Sequence, residues 1–436
     1  MKKQAEKYIL MWLRLIARLQ IKKNKPTIIG VTGSAGKTST VKAIGEVLKT
    51  KHSVKCTLKG NSETGIPLEL LGIPIKNYTG LRWIGVILLS IWQVIFYWPK
   101  YELLIVEMGI DSDQIPKNMT YLLKIIKPMV GIFLNVNNVH GANFSGKDTI
   151  KAITTEKGKL LSSLPENGLA IFSADHHSIV NLEKNIRAKK KKFSINQHSD
   201  MQLLKYDVSL NGTKFVFLAG GKQFVLNLAN QVHFKEAFGG FASALLAGEY
   251  FGVNIEDGVN ALEKRFKLLP GRMTVLEGIN NSVIIDSSYN SSLEPTSATL
   301  RMLNQISARG KKIAILGDMR EIGKQEKQDH EKLAEVVSKN ADEIILVGPL
   351  TAKYILPKLK KLKFAKTKIH SFITSYEALG TVKKIIEPHD LILVKGSQNT
   401  IFLEIVVKAI MAHPEQASKI LCRQTRYWER QRKQLI

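Results

Sequence analysis

Short, nearly uninterrupted apolar runs recur along the chain, with stretches of helical period between them. Thr27–Val31, Leu103–Glu107, Val130–Asn135 and Leu169–Phe172 are such runs. A strand that is apolar at successive positions is covered on both faces, so the pattern predicts a mainly parallel sheet with helices on either side. Residues 203–228 differ: KYDVSL, NGTKFVFL and KQFVLNL read as short strands with hairpin turns, an antiparallel patch appended to the sheet. Pro270-Gly271 breaks the pattern. Beyond it Ser282–Asp286, Lys312–Leu316, Glu343–Val347, Lys368–Phe372 and Asp390–Val394 restart the alternation and predict a second, smaller doubly wound domain. The expected class is α/β, with an N-terminal helix at 1–25, a central domain at 26–269 and a Rossmann-like C-terminal domain at 270–436.

Two segments stand apart from this alternation. Read as a helix, the N-terminus places Lys7, Arg14, Arg18 and Lys22 on one side and Ile9, Trp12, Leu13, Ile16 and Leu19 mostly on the other. That profile suits an interfacial membrane helix, or a helix packed on the protein's own body. The second segment, Trp83–Trp98, has no charge and only Ser90 and Gln93 as clearly polar side chains; Arg82 and Lys100 flank it. Its 16 residues fall short of the ~20 that span a bilayer. The strand expected at Tyr101–Val106 must join the main sheet, so both ends of the segment lie in one compartment. Residues 82–99 are therefore expected to form a helix or re-entrant hairpin dipping into the cytoplasmic leaflet, against a buried core helix or an oligomer contact as the other readings.

Composition adds a charge constraint. The 436 residues carry 64 Lys+Arg against 37 Asp+Glu, a formal net charge of +27, which favours anionic partners. No zinc-finger spacing, aromatic RNA-binding signature or helix-turn-helix signal accompanies it, so no nucleic-acid partner is expected. The run Lys189–Lys192 reads as a charged turn. Hydrophobic residues make up 44%, enough for sizeable cores, and the only cysteines, Cys56 and Cys422, suggest a reducing compartment and inert thiols. Arg14 and Arg18 interrupt the N-terminal apolar stretch, so no secretory signal is expected.

The candidate chemistry begins at VTGSAGKTST, Val31 to Thr40, which follows a strand and opens a helix near Lys37. In Gly33-Ser34-Ala35-Gly36-Lys37-Thr38-Ser39 the glycines let backbone approach a polyphosphate, Lys37 reaches its terminal phosphates, and the Thr38 hydroxyl is placed for Mg²⁺. Val31 stands where the general P-loop pattern has its first Gly. No base-reading Asn-Lys-x-Asp follows a strand, which argues against a GTPase. Further polar residues fall at strand ends, where open α/β sheets place their sites. Glu107 closes LLIVE and can hold Mg²⁺. Asn135 and His140 follow GIFLNV, with a metal or phosphate role favoured for His140; Lys157 lies in TTEKGKLL. Arg272 sits at the domain break, and Asp286, Asp318 and Lys395 end three strands of the second domain.

In order, TGSAGKTST, GNSETGIPLELLG, VEMG, NVNNVHGANFSG, TEKGKLL, LPGRM, IIDSSYNSSLEP, ILGDMREIG and LVKGS resemble the motifs of the Mur ligase family from about Ile28 onward. The resemblance implies ATP-dependent amide-bond formation through an acyl phosphate, adding a D-alanyl-D-alanine dipeptide or an amino acid to a muramoyl peptide in cell-wall synthesis. It implies that Thr38, Glu107 and His140 organise Mg²⁺ and that Lys157 matches a lysine carbamylated in some members. Asn61, Ser62 and Glu63 would lie near the acceptor, Arg272 and Asp286 would contact ATP, Tyr289 and Asn290 would shape the cleft, and Asp318 and Lys395 would lie by the incoming amine. Ser287 replaces a family Asp, Lys159 stands at a frequent Glu, and His233–Ala237 replaces an Asn-bearing element. Only residues 1–25 precede the first strand, too few for the family's usual nucleotide-sugar domain, so the acceptor is expected to be lipid-linked or held at the inner face of the membrane. The alternatives are a folylpolyglutamate synthase-like ligase and a non-catalytic ATP-binding membrane scaffold.

Overall fold

The computed structural model describes residues 2–76, 78–137, 141–145, 148–320, 322–396 and 400–433. They divide into two compact units: residues 1–204, 216–226 and 237–266 in the first, and 205–215, 227–236 and 267–436 in the second.

The first sheet contains β1 (Thr27–Thr32), β2 (Val54–Cys56), β3 (Leu103–Glu107), β4 (Val130–Phe133), β5 (Leu169–Ser173), β6 (Lys189–Ser194), β7 (Met201–Ser209), β8 (Gly212–Ala219) and β9 (Lys222–Ala229). Their order is β2-β3-β1-β4-β5-β6-β7-β8-β9, and neighbouring strands from β2 to β7 pair in parallel. Chain order reverses beside β1, which puts the loop after β1 at the switch point of the sheet, where such folds bind ligands. β8 and β9 are joined at Gly220-Gly221, both with positive φ, the requirement of a two-residue hairpin turn. The unit boundary runs through β7–β9, whereas the sequence places one break at Pro270-Gly271. These strands have eight or nine residues, about 27 Å or more, and Val208 and Leu210 beyond the cut pack on the second unit's core.

The second sheet holds β10 (Thr274–Glu277), β11 (Val283–Ser287), β12 (Lys312–Gly317), β13 (Glu343–Val347), β14 (Ile369–Phe372) and β15 (Leu391–Lys395), in the order β10-β11-β15-β12-β13-β14. Only β10 runs antiparallel to its neighbour. Alternate residues of β12 enter different cores, Ala314 and Leu316 on one face and Ile313 and Ile315 on the other, which is why its sequence is continuously apolar.

Two expectations are corrected. Lys189–Lys192 is no turn: it opens β6, paired in parallel with Leu169–Phe172 of β5. Backbone pairing overrides the poor strand propensity of lysine, because Phe193 and Ser194 bury the strand's end and Glu183 and Asp200 pair Lys192 and Lys191. β4 stops at Phe133, two residues early, because Asn135 turns away to hold the phosphate loop.

Helix α1 (Lys2–Asn24) buries Leu10, Leu13, Ile16, Ala17 and Gln20 against the first unit, the packed alternative of the two readings. The Tyr121 hydroxyl donates to the Leu10 carbonyl at 3.0 Å. Contrary to the sequence pattern, Leu19 is exposed, and Tyr8, Met11 and Leu15 face outward with it. Helices α2 (Lys37–Leu48), α3 (Gly65–Leu70) and α4 (Arg82–Phe96) follow, then α5 (Met119–Ile125) and α6 (Thr149–Ser162). Among the described residues no helix is long and apolar enough to cross a membrane.

The packing of α1 makes a prediction. Leu13 is 0% exposed and Leu15 is 51% exposed on the same helix. Leu13→Ala is expected to cost about 2–5 kcal/mol in urea unfolding, and Leu15→Ala within about 0.5 kcal/mol of nothing.

Candidate active site

The phosphate loop leaves β1 at Thr32 and enters α2 at Lys37. Gly33 has φ 154° and Gly36 φ 82°, and a Cβ on Gly33 would lie 3.0 Å from the Leu134 Cβ. Gly36 is the N-cap of α2 and supplies no side-chain cap, so the first amides of the helix are left to an anion. The loop is held from β4. The Asn135 side-chain oxygen accepts from the Ser34 and Ala35 amides at 3.1 and 2.9 Å, and its Nδ2 donates to the Ala35 carbonyl at 3.1 Å. The Ser34 hydroxyl donates to the Asn137 carbonyl and accepts from the Asn137 amide. Asn135 thus acts on the loop backbone.

Three sequence candidates meet at one carboxylate. Buried Glu107, at the end of β3, accepts the Thr38 hydroxyl at 2.7 Å on Oε2 and the Asn61 amide at 2.9 Å on Oε1. Its own backbone N–H donates to the Thr57 hydroxyl. Two lysines converge on the Gly33 carbonyl: Lys37 Nζ donates at 3.0 Å and Lys157 Nζ at 3.1 Å. Burial, then the charge of Lys37, holds the Lys157 amine well below the usual lysine range. Lys159, two residues on, points elsewhere: Nζ lies 2.5 Å from Glu156 Oε2 and donates to the Thr120 hydroxyl. Glu156 also accepts from the Met119 and Thr120 amides, so the pair fixes α6 against the start of α5. Ser62 accepts from the Gly65 amide at the start of α3, and burial raises Glu63. His140 lies outside the described residues. Among the described residues no group of three or more His, Cys, Asp or Glu could hold a metal ion; the oxygens present are those of Thr38 and Glu107.

In the second unit, register puts Asp286 beside Val394, and Lys395 between Ser287 and Leu316, so β11, β15 and β12 end together. Lys395 donates to the Asn290 carbonyl, and burial together with Arg272 pushes its amine down to about 7. Burial raises Asp286, whose Oδ1 accepts from the Ser288 amide while Oδ2 has no hydrogen-bond partner among the described residues. The Arg272 guanidinium lies 4.2 Å from the Tyr289 ring centroid. Asp318 Oδ1 instead accepts from the Leu350 and Thr351 amides, which fixes the turn after β13; Gly348 (φ 127°) leaves the room it needs.

The family model for the Mur ligase middle domain matches residues 31–235, and that for the Mur ligase glutamate ligase domain matches residues 271–398. The chain belongs to the Mur ligase family. A curated relative, UDP-N-acetylmuramoyl-tripeptide–D-alanyl-D-alanine ligase of Bacillus subtilis (strain 168), is 26% identical over 404 residues, covering 92% of this chain and 79% of the relative. Among solved structures, MurF from Acinetobacter baumannii has a TM-score of 0.74 at 20% identity, covering 92% of this chain and 79% of that one. MurF from Thermotoga maritima in complex with ADP has 0.73 at 23%, covering 92% and 83%. These two likenesses establish a shared fold.

Several Mur ligase motif residues support others here. His233 is a buried histidine whose pKa falls to about 3 through burial, with its amide on the Thr213 hydroxyl and its carbonyl accepting from Tyr206. Burial pushes the free thiols of Cys56 and Cys422 up to about 11 and about 12, consistent with inert groups. Sequence reasoning missed Arg423, beyond the matched residues. It is buried with Glu404 at 2.9 Å, donates to the Tyr289 carbonyl, and lies 5.2 Å from the Tyr289 ring centroid. Arg432 takes the other Glu404 oxygen at 3.5 Å. Nothing in the basic tail LCRQTRYWERQRK announces this, because the partners are far off in sequence.

Arg423→Met is expected to cost about 3–5 kcal/mol by stranding the Glu404 charge, and Arg423→Met with Glu404→Leu to recover much of it in chemical unfolding. A second prediction concerns pH. Unfolded lysine keeps its proton to about 10.5, whereas Lys395 loses it near 7. Between about 7 and 10.5 the unfolded chain binds more protons, so this group's contribution to stability rises with pH across that window and levels off below 7. Wild type is expected to gain urea stability relative to Lys395→Met between pH 7 and 9.

Proposed function

We propose that the protein is an ATP-dependent amide ligase that adds a D-alanyl-D-alanine dipeptide, or an amino acid, to a muramoyl-peptide carboxylate in peptidoglycan synthesis. The observation that carries the reading is the joining of the phosphate loop to Glu107 through Thr38, with Lys37 and Lys157 on the Gly33 carbonyl. It agrees with the activity for which the Bacillus subtilis relative is named and with the ADP bound in the Thermotoga maritima MurF. The residues fit the nucleotide: an uncapped helix start behind two positive-φ glycines is a cradle for polyphosphate. Mg²⁺, when bound, offsets phosphate charge; Thr38 and Glu107 would hold it, with His140 as the further candidate.

An acceptor carboxylate oxygen attacks the γ-phosphorus, forming the acyl phosphate and releasing ADP. The amine nitrogen then attacks the acyl carbon, the carbon–oxygen bond to phosphate breaks, and the nitrogen gives up a proton. Lys37 and the loop amides stabilise charge on the transferring group. Lys157, whose amine burial and then the charge of Lys37 hold well below the usual lysine range, is suited to carbamylation, which would turn it into a carboxylate beside the phosphate loop. On this reading Asn61, Ser62 and Glu63 would serve the acceptor, Arg272, Asp286, Tyr289 and Asn290 the nucleotide, and Asp318 and Lys395 the amine. The enzyme works in the cytoplasm, where ATP is available, and meets its acceptor at the inner face of the membrane through a peripheral contact.

Phosphate release should require ATP, a UDP- or lipid-linked muramoyl tripeptide and D-alanyl-D-alanine together. Lys37→Ala should lower kcat by about 10²–10³-fold. Release driven by folate and glutamate would transfer the reading to a folylpolyglutamate synthase-like ligase. ATP binding without turnover on any acceptor would make the chain a scaffold.

A further inference from the structure

Helix α4 is turned inside out for a helix in water. Its one buried polar side chain faces α1: the Trp12 indole donates to the Ser90 hydroxyl at 3.0 Å, and Ser90 is fully buried. Val86 packs with Leu13 and Ile16 of α1, with Trp83 and Val94 beside them. Lys23 Nζ donates to the Val94 and Tyr97 carbonyls and Gln20 to the Tyr97 carbonyl, which pins the end of α4 to the end of α1. The outward face is apolar throughout: Ile84, Leu88, Leu89, Ile91, Trp92, Ile95 and Phe96 are all exposed, with Leu81 at 82% and Trp98 at 63% just beyond the helix ends. Tyr8, Met11 and Leu15 of α1 add to it. A continuous apolar surface of this size is a docking face.

Charge decides what docks. From Ile73 to Tyr101 the sequence contains no Asp or Glu, while Lys76, Arg82 and Lys100 rim the face, and α1 adds Lys7, Arg14, Arg18 and Lys22 against Glu6 alone. A second copy meeting this face through a two-fold axis would bring the same positive rim against itself. Anionic headgroups complement it, and the tryptophans Trp92 and Trp98 belong at a lipid–water boundary. The 15 residues of α4 make a rod of about 22 Å. Both its ends return to the first unit, through α3 and through β3, so the helix lies along a surface and does not cross one. We infer that the outward face of α1 and α4 seats the protein in the plane of an anionic lipid surface, with the α4 side chains Leu88, Trp92 and Ile95 entering the acyl boundary and the lysines and arginines on the headgroups. This deepens the membrane contact proposed above and depends on none of the ligase chemistry.

The full-length protein should co-sediment with vesicles of phosphatidylcholine and phosphatidylglycerol at least about tenfold more strongly than with phosphatidylcholine alone. Part of that binding should persist in 1 M salt, where headgroup attraction is screened and apolar insertion is not. Leu88→Gln/Trp92→Gln/Ile95→Gln should lower it at least about tenfold, with unchanged circular dichroism and thermal midpoint. The same variant should keep ATP-dependent phosphate release on a soluble acceptor, so loss of vesicle binding and loss of ligase activity are read separately. The inference is overturned if the wild type ignores anionic vesicles, or if the folded triple variant binds them as the wild type does. It is equally overturned if the wild type is a dimer in solution that the variant splits and vesicles do not compete for.

Discussion

The first unit is organised around one buried carboxylate that joins the phosphate loop to the segment ahead of α3. Glu107 ends β3, which lies between β2 and β1, and its two oxygens bind Thr38 at the start of α2 and Asn61 ahead of α3. A buried carboxylate is costly unless hydrogen-bonded, so burial forces the pairing and the pairing fixes where α2 begins. That start fixes the amides that face a phosphate. Asn135 does the corresponding work on the other side of the loop, trading the last residues of β4 for three hydrogen bonds to Ser34 and Ala35. The loop keeps its shape because glycines supply its positive φ angles and both of its flanks are held.

The second unit uses the same device with the opposite charge. Lys395 is buried at the end of a central strand, with Asp286 on the neighbouring strand and Arg272 nearby. Burial drives the two groups toward neutrality from opposite directions, the lysine down and the aspartate up. The Ser288–Asn290 turn is then steadied from outside by Arg423, whose own charge is met by Glu404.

How much of this was legible in the sequence follows from range. The strands were legible because continuous apolar runs are a local signal; their ends moved by one or two residues where a side chain such as Asn135 had long-range work. The phosphate loop was legible because its constraint, glycine where a Cβ would collide, is written in one short segment. Thr38, Glu107 and Asn61 could be named singly from motifs, but their meeting at one carboxylate could not. Arg423 was illegible, as its partners Glu404 and Tyr289 lie 19 and 134 residues away. The β6 lysines misled for a related reason: pairing to β5 and two ion pairs outweigh what four lysines prefer alone. On α1 the helical wheel separated charge from apolar residues correctly in part, yet a helix packed on α3, α4 and α5 buries Leu10, Leu13, Ile16, Ala17 and Gln20, a set that shares only Leu13 and Ile16 with the apolar side read from the sequence.

Lys157 and Lys159 show how small the deciding difference is. Two residues apart on a helix, they point to nearly opposite sides. One reaches the Gly33 carbonyl and has its amine held well below the usual lysine range by burial; the other keeps a surface edge and an acidic partner. The apolar segment has a comparable placement. The stretch from Asn61 to Glu107 contains α3, α4 and the strand β3, and the hydrogen bond of Asn61 to Glu107 closes it across 46 residues. The outward-facing helix therefore lies inside a loop of chain that begins and ends at the carboxylate on which α2 depends. One arm of that loop, β3, is a central strand and cannot shift without breaking its pairing with β1. The other, Asn61 to Thr64, is a half-buried turn in which Ser62 accepts from the Gly65 amide. Any restraint placed on α4 passes first to α1, which Trp12, Gln20 and Lys23 join to it by hydrogen bonds, before it can reach either end of that loop.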